Sequence, residues 1–268
     1  VPQELHPGLT VTVNPYTNCG KCASCRNRRY NACEHNETLG VQRNGAMCGY
    51  IAVPWEKVIP ADGMNTRDCA LIEPMSVGFH AASRAGVTDN DVVMVIGCGM
   101  VGMGAIIRAA LRGATVVAVD LDDEKLALAK EVGATHTINS RTTDVHEEMI
   151  RISQGFGADV VIEAVGNPVT YNMAINEVSF TGRVVYIGYA KSEVSFQTKL
   201  FVQKELNICG SRNALPEDFR AVIHYLNTHN FPYDKFISRI VTPEEAGEAL
   251  QTWAAAPQKV FRILADFR

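Results

Sequence analysis

Two groups of residues in this sequence could carry chemistry by type and spacing alone. Cys19, Cys22, Cys25 and Cys33 fall in C-x2-C-x2-C-x7-C order. Cysteines three apart make poor disulfides with one another but converge easily on a metal. Four thiolates complete a tetrahedral zinc shell and leave no position open for water or substrate, which is the mark of a structural site. Gly20 and the basic Lys21, Arg26, Arg28 and Arg29 suit a turn around a dianionic zinc–tetrathiolate centre. An iron–sulfur cluster is the second reading of the same thiols, and nearby His35 reads as a surface residue. The other group is Gly97, Gly99 and Gly102, in G-x-G-x-x-G spacing. The first glycine permits a tight turn, the second lets a pyrophosphate approach the backbone, and the third lets a new helix pack close to the strand before it. That helix, opening at Met100 and Val101, presents free N–H groups and a positive dipole end to phosphates. Asp120 follows at the distance where a carboxylate bonds both ribose hydroxyls of NAD.

These residues need elements to hold them. Val92–Ile96 is an uninterrupted β-branched run that suits a parallel strand buried on both faces, and Thr115–Asp120 is a second. Beyond Asp120 the pattern alternates: a helix over 121–130, a strand over 134–138, a helix over 145–153, a strand over 158–166, a helix opened by Pro168, and strands over 182–188 and 206–210. Together these make a six-stranded, doubly wound parallel sheet of the α/β class, with ligands expected outside the carboxyl ends of its strands. A methyltransferase also lays its cofactor over a glycine turn near an acid, but would add an antiparallel hairpin, and none is visible. Val92–Ile107 carries no charge, yet it is glycine-rich, flanked by Asp91 and Arg108, and short of the roughly 18 apolar residues that a membrane span needs.

Ahead of this sheet, residues 9–13 alternate as a strand, Asn14-Pro15-Tyr16 reads as a break, and residues 40–60, with Gly45 to Pro54 at their centre, read as a strand with glycine bends followed by a polar loop. A helix runs from Ala70 to about Ala85. In it, Glu73 stands before Pro74 among apolar neighbours. It is either an N-terminal acid favoured by the helix dipole or a buried carboxylate facing a metal or substrate. The tail reads as a helix over 216–227, a strand over 237–241, a helix over 243–253 with Thr242 as its cap and Glu245 as box partner, and a strand over 260–264. A tail of this kind rejoins the first domain, so the cofactor domain is inserted. The expected boundaries are 1–80, holding the zinc lobe at 18–35, then 81–230 and 231–268.

With 268 residues, 47% hydrophobic and 20% charged, the composition is that of an ordinary globular protein with a substantial core. A formal charge of −4 without a basic cluster gives no reason to invoke nucleic acid or anionic membrane. Cys48, Cys69, Cys98 and Cys209 are scattered singly, so no disulfide framework is expected, and a reducing, cytoplasmic location fits. Val1-Pro2 at the start, with no initiator Met, hints at a fragment or a processed chain.

The cysteine lobe, the Ile72-Glu73-Pro74-Met75-Ser76-Val77 helix and a complete NAD fold, in this order, resemble the zinc-dependent medium-chain alcohol and polyol dehydrogenases over essentially the whole chain. Leu71-Ile72-Glu73-Pro74 is similar to the sorbitol dehydrogenase-like branch, and Gly210-Ser211-Arg212-Asn213-Ala214-Leu215-Pro216 to its L-galactonate and L-gulonate 5-dehydrogenases. The resemblance implies a Rossmann sheet inserted in a partial GroES-like, β-rich catalytic domain. It implies an oxidoreductase passing hydride from a secondary alcohol of a polyol or sugar acid to NAD, with L-threonine dehydrogenase as the architectural alternative. Glu73 would reach a catalytic zinc directly or through a water. Arg212 would sit at the cofactor–substrate junction, where it can grip a carboxylate or diol bidentately, although it also reads as a solvated residue after a strand. Met100, Val101, Asp120 and Lys125 match positions around the pyrophosphate and adenosine ribose; Ile187, Gly188, Ser211, Arg212 and Asn213 match the nicotinamide end. Asp120, Asp122, Asp123 and Glu124 would repel a 2′-phosphate, which favours NAD over NADP. A homodimer or homotetramer is implied. The family's other catalytic-zinc ligands lie in segments ahead of the cysteine lobe that this sequence does not contain. The expectation is therefore a piece of a dehydrogenase, in which Glu73 alone cannot hold an open zinc, and a non-catalytic nucleotide-binding fragment is the competing reading.

Overall fold

A computed structural model describes residues 2–256 and 260–268. The chain divides into two compact units, residues 1–76 with 213–268, and residues 77–212.

The first unit opens with β1 (Val11–Val13) and β2 (Tyr16–Thr17), followed by one helical turn α1 (Ala23–Arg26), β3 (Glu37–Thr38), β4 (Val58–Pro60) and α2 (Thr66–Cys69). β1 pairs antiparallel with β4, and β2 with β3. The expected break falls at Asn14-Pro15, between β1 and β2, but Tyr16 is not part of it: it is buried and begins the second strand. Nor do residues 40–54 form a strand. They run as turns and bends, with Val41, Met47 and Tyr50 exposed, because no described neighbour offers them a ladder, and a lone strand gains nothing by extending. The long helix α3 (Ile72–Arg84) follows, its residues up to Ser76 in the first unit and those from Val77 on in the second.

The second unit is the parallel sheet. Its elements are β5 (Val92–Ile96), α4 (Met100–Leu111), β6 (Thr115–Asp120), α5 (Asp123–Glu131), β7 (His136–Asn139), α6 (Val145–Ile152), β8 (Ala158–Glu163), α7 (Pro168–Glu177), β9 (Val178–Tyr186), α8 (Lys199–Gln203) and β10 (Asn207–Gly210). The strand order is β10-β9-β8-β5-β6-β7, every pair parallel. The order reverses beside β5, which makes its carboxyl end the topological switch point where such sheets bind ligands. β5 and β6 fall on their expected residues because both faces are covered: Val93, Met94 and Val95, and Val116, Val117 and Ala118, are wholly buried. β9 starts earlier than expected, its register breaking between Ala158 and Val160 of β8, where Thr181 turns left-handed at φ 60° in a bulge. Helix α3 meets α4 backbone to backbone: a Cβ on Gly78 would lie 2.1 Å from the Val101 carbonyl.

The tail supplies α9 (Pro216–Thr228), α10 (Tyr233–Phe236), β11 (Arg239–Val241), α11 (Ala246–Ala255) and β12 (Ile263–Ala265), with β11 and β12 paired in parallel. Helix α9 was expected in the cofactor domain. It clusters with the first unit because Phe219 sets its ring edge against Tyr16 and Asn227 donates to the Asp62 carbonyl. The expected cap at Thr242 is half formed: Glu245 accepts the Thr242 N–H at 2.9 Å, but Pro243–Glu245 is a turn and the helix starts at Ala246.

Candidate cofactor and metal sites

The turn after β5 is built from its glycines. Gly97 sits at φ 95°, a region that favours glycine, and a Cβ there would strike Val165 at 2.6 Å. A Cβ on Gly102 would stand 1.8 Å from the Gly97 carbonyl, so the first turn of α4 lies directly against the turn. Gly99 differs. It is exposed, and a Cβ would meet nothing within 4 Å. That leaves an open face above the N–H groups at the start of α4, the kind of helix N-terminus that suits an anion. Met100 is buried as the first residue of α4 and Val101 is half-buried beside it.

Asp120 closes β6 with its carboxylate already oriented. Oδ2 accepts the Cys98 N–H at 2.7 Å, and Oδ1 accepts the N–H groups of Leu121 and Asp122 at 2.7 and 3.1 Å. The acid is thus tied to the glycine turn and held at the strand end by main-chain N–H groups. Lys125 lies on the first turn of α5, its N–H taken by the capping carboxylate of Asp122. The Cys98 thiol beneath the turn is fully buried, and that burial, then the charge of Asp120, pushes it well above the ordinary thiol range. It acts as a small core residue. Replacing Asp120 with Ala should weaken NADH by about 10- to 100-fold, the worth of a hydrogen bond to a charged group. Titration by cofactor fluorescence measures this, with Asp120→Asn, which keeps one acceptor, falling between.

Farther along the same edge, Ile187, Gly188, Ser211 and Arg212 line a depression of about 360 Å³ with Tyr171, Tyr186 and Tyr189. The structure therefore brings these four expected residues together. Asn213 belongs to the other unit, where its amide donates to the Asn31 carbonyl at 2.9 Å beside the cysteine lobe. Sequence reasoning passed over Glu163, Thr170 and Tyr171. The signal available was an acid ending an apolar strand, the same pattern that singled out Asp120.

The sulfurs of Cys19, Cys22, Cys25 and Cys33 all lie within 4.8 Å of one another, and none forms a disulfide. Cys22 and Cys33 are 3.8 Å apart, which is about the edge of a tetrahedron whose centre is ~2.3 Å from each vertex, the zinc–sulfur distance. The Ser24 hydroxyl and the N–H groups of Cys25 and Glu34 pull the Cys22 thiol down to about 5, while burial lifts Cys25 to about 11. A divalent cation at the centre favours the thiolate form of all four. The donor set fits a closed zinc site. Among the described residues this is the one group of three or more His, Cys, Asp or Glu side chains able to share a metal.

Glu73 stands on the first turn of α3, half-buried, accepting a hydrogen bond from the Tyr16 hydroxyl. With Val11, Val13, Thr38, Cys69 and Ala70 it lines a depression of about 580 Å³. No described His, Cys, Asp or Glu pair joins it as a metal site, so these residues do not fit an open catalytic zinc.

Comparison with known proteins agrees with this layout. The family profile described as zinc-binding dehydrogenase matches residues 100–228, and that of the alcohol dehydrogenase GroES-like domain matches residues 2–63. L-galactonate-5-dehydrogenase of Escherichia coli is 32% identical over 86% of this chain and 71% of its own length. Sorbitol dehydrogenase of Bacillus subtilis is 35% identical over 76% of this chain and 59% of its own length. Among solved structures, a zinc-binding dehydrogenase from Sinorhizobium meliloti bound to NADP superposes with a TM-score of 0.89 at 27% identity, over 98% of this chain and 78% of that one. The chain belongs to the zinc-dependent medium-chain alcohol and polyol dehydrogenases, on their sorbitol dehydrogenase-like branch. It is accordingly an oxidoreductase of the nicotinamide-dependent, zinc-binding kind, with a Rossmann sheet and a GroES-like part. Among the described residues no helix is long and apolar enough to cross a membrane.

Proposed function

We propose that this chain binds NAD along the carboxyl edge of its parallel sheet and serves the oxidation of a secondary alcohol in a polyol or sugar acid. The observation that carries the cofactor is the Asp120 carboxylate, locked by three N–H groups beside an open Gly99. Strand order supports a direction. With adenosine over β6 and pyrophosphate at β5, the nicotinamide would run toward β8, β9 and β10, on the other side of the switch point. NAD, when bound, supplies the hydride acceptor. Gly97, Gly99, Met100, Val101 and Gly102 would cradle its diphosphate; Asp120 and Lys125 its adenosine ribose; and Ile187, Gly188 and Ser211 its nicotinamide end. Carboxylates at Asp120, Asp122, Asp123 and Glu124 favour NAD over NADP by repelling a 2′-phosphate. Arg212 lines the depression with Ser211 and is suited to gripping a substrate carboxylate or diol in two-pronged fashion. The names of the relatives, which act on L-galactonate and sorbitol, support the same substrate class. A cytoplasmic homodimer or homotetramer completes the reading, consistent with free thiols throughout.

Among the described residues no group of three or more His, Cys, Asp or Glu side chains includes Glu73, which favours a second reading, a nucleotide-binding chain without its own hydride chemistry. One assay separates the two. NAD reduction is followed at saturating zinc across L-galactonate, L-gulonate, sorbitol and L-threonine. A hexonate- or hexitol-dependent rise in absorbance is the expected result. Tight NADH binding with silence across the panel would give the second reading the field.

A further inference from the structure

Glu163 ends β8 inside the sheet, fully buried. Its Oε1 accepts three donors: the N–H groups of Val165 and Gly166 at 2.9 and 2.8 Å, and the Thr170 hydroxyl at 2.7 Å. Its main-chain carbonyl accepts the N–H groups of Ile187 and Gly188 at 2.9 and 3.3 Å. One residue therefore ties the turn after β8 to the turn after β9. The two turns touch backbone to backbone. A Cβ on Gly188 would lie 2.3 Å from the Gly166 nitrogen and 2.8 Å from Glu163 Oε2, which is buried with no hydrogen-bond partner among the described residues.

Tyr171 clasps the same ledge from α7. Its hydroxyl donates to the Gly188 carbonyl at 2.5 Å and its ring stacks on Tyr186 at 4.1 Å, while the Tyr186 hydroxyl donates back to the Tyr171 carbonyl at 3.0 Å. Ile187 and Gly188, so held, line the depression with Ser211, whose buried hydroxyl oxygen has no partner among the described residues. An unmatched buried hydroxyl is a standing invitation to a polar ligand group.

We infer that Glu163 and Tyr171 are positioning residues that fix the Ile187–Gly188 ledge in the shape that receives the amide-bearing nicotinamide end of the cofactor. A buried carboxylate costs free energy wherever it is not fully hydrogen-bonded, and sheet pairing alone would be served as well by an apolar residue. What the acid adds is three charge-assisted bonds aimed at one turn, each about twice as strong as a neutral one. The inference rests on the reading that the dinucleotide lies along this edge with its nicotinamide over β8–β10.

The test is isothermal titration of the full chain with NADH and with ADP-ribose, which carries everything but the nicotinamide ring. Tyr171→Phe keeps the ring stack and removes one hydroxyl. It should weaken NADH about 5-fold, the worth of one hydrogen bond, and leave ADP-ribose within about 2-fold. Glu163→Ala should weaken NADH about 100-fold with the same indifference to ADP-ribose, and Glu163→Gln, which keeps an acceptor at Oε1, should recover most of the loss. If Glu163→Ala does not fold, Tyr171→Phe carries the test alone. Equal weakening of both ligands, or NADH affinity unmoved in Tyr171→Phe, overturns the inference. A wild-type chain that binds neither ligand overturns the dinucleotide reading beneath it.

Discussion

Gly102→Ala and Gly99→Ala, two methyl groups three residues apart, should both weaken cofactor binding, while only the first should destabilise the fold. At Gly102 the new Cβ would lie 1.8 Å from the Gly97 carbonyl and 2.9 Å from its carbon, both main-chain atoms that cannot rotate aside. The start of α4 must move off the turn, and overpacking of this kind costs about 3 kcal/mol. Melting temperature should fall by roughly 5 °C for a protein of this size, with NADH binding lost. At Gly99 the Cβ meets nothing within 4 Å, so the melting temperature should hold. The methyl group would nonetheless fill the space through which a diphosphate approaches the N–H groups of α4, and NADH should weaken by about 100-fold or more. Calorimetric melting beside fluorescence titration reads both. A Gly99→Ala variant that binds NADH as well as the wild type would remove the phosphate from this turn.

Metal removal should be nearly as severe for the cysteine lobe. Its regular structure is one turn at Ala23–Arg26 and a 3-10 turn at Tyr30–Ala32, far below the ~12 residues at which a helix begins to hold itself. The lobe's buried apolar side chains are chiefly its own Cys25 and Cys33. A tetrathiolate zinc therefore supplies most of its folding free energy. Purified protein should contain about one zinc per chain. Stripping it with a strong chelator should expose the four thiols to a colorimetric thiol reagent together, and Cys33→Ser should abolish zinc retention. Protein that keeps no zinc when purified without chelator would defeat the assignment.

Much of this was legible in the amino-acid order because it is local. Val92–Ile96 and Thr115–Asp120 match their strands residue for residue, since a run of β-branched residues buried on both faces leaves little freedom. The glycine spacing and the cysteine spacing are likewise short-range patterns that each specify a geometry. Residues 40–54 were misread because strand formation depends on a partner, and no local signal says whether one exists. Tyr16 looked like punctuation after Asn14-Pro15, yet it is buried, paired with Thr38 and bonded to Glu73, a partner 57 residues away. Glu163 escaped for a related reason. Its importance lies in two turns that approach each other only after β8 and β9 have paired, although an acid closing an apolar strand is a clue that can be sought.

The distribution of sulfur also decides how the molecule ages under oxidants. Cys98 is wholly buried and its thiol stands well above the ordinary range, while burial lifts Cys69 to about 11, so both stay protonated and slow toward peroxide at neutral pH. Cys48 is exposed, and Cys22, the sulfur most inclined to ionise, sits in the lobe under the protection of whatever metal fills it. Peroxide damage thus begins at an outlying loop and at a metal-depleted lobe, and the thiol beneath the glycine turn is among the last to be reached.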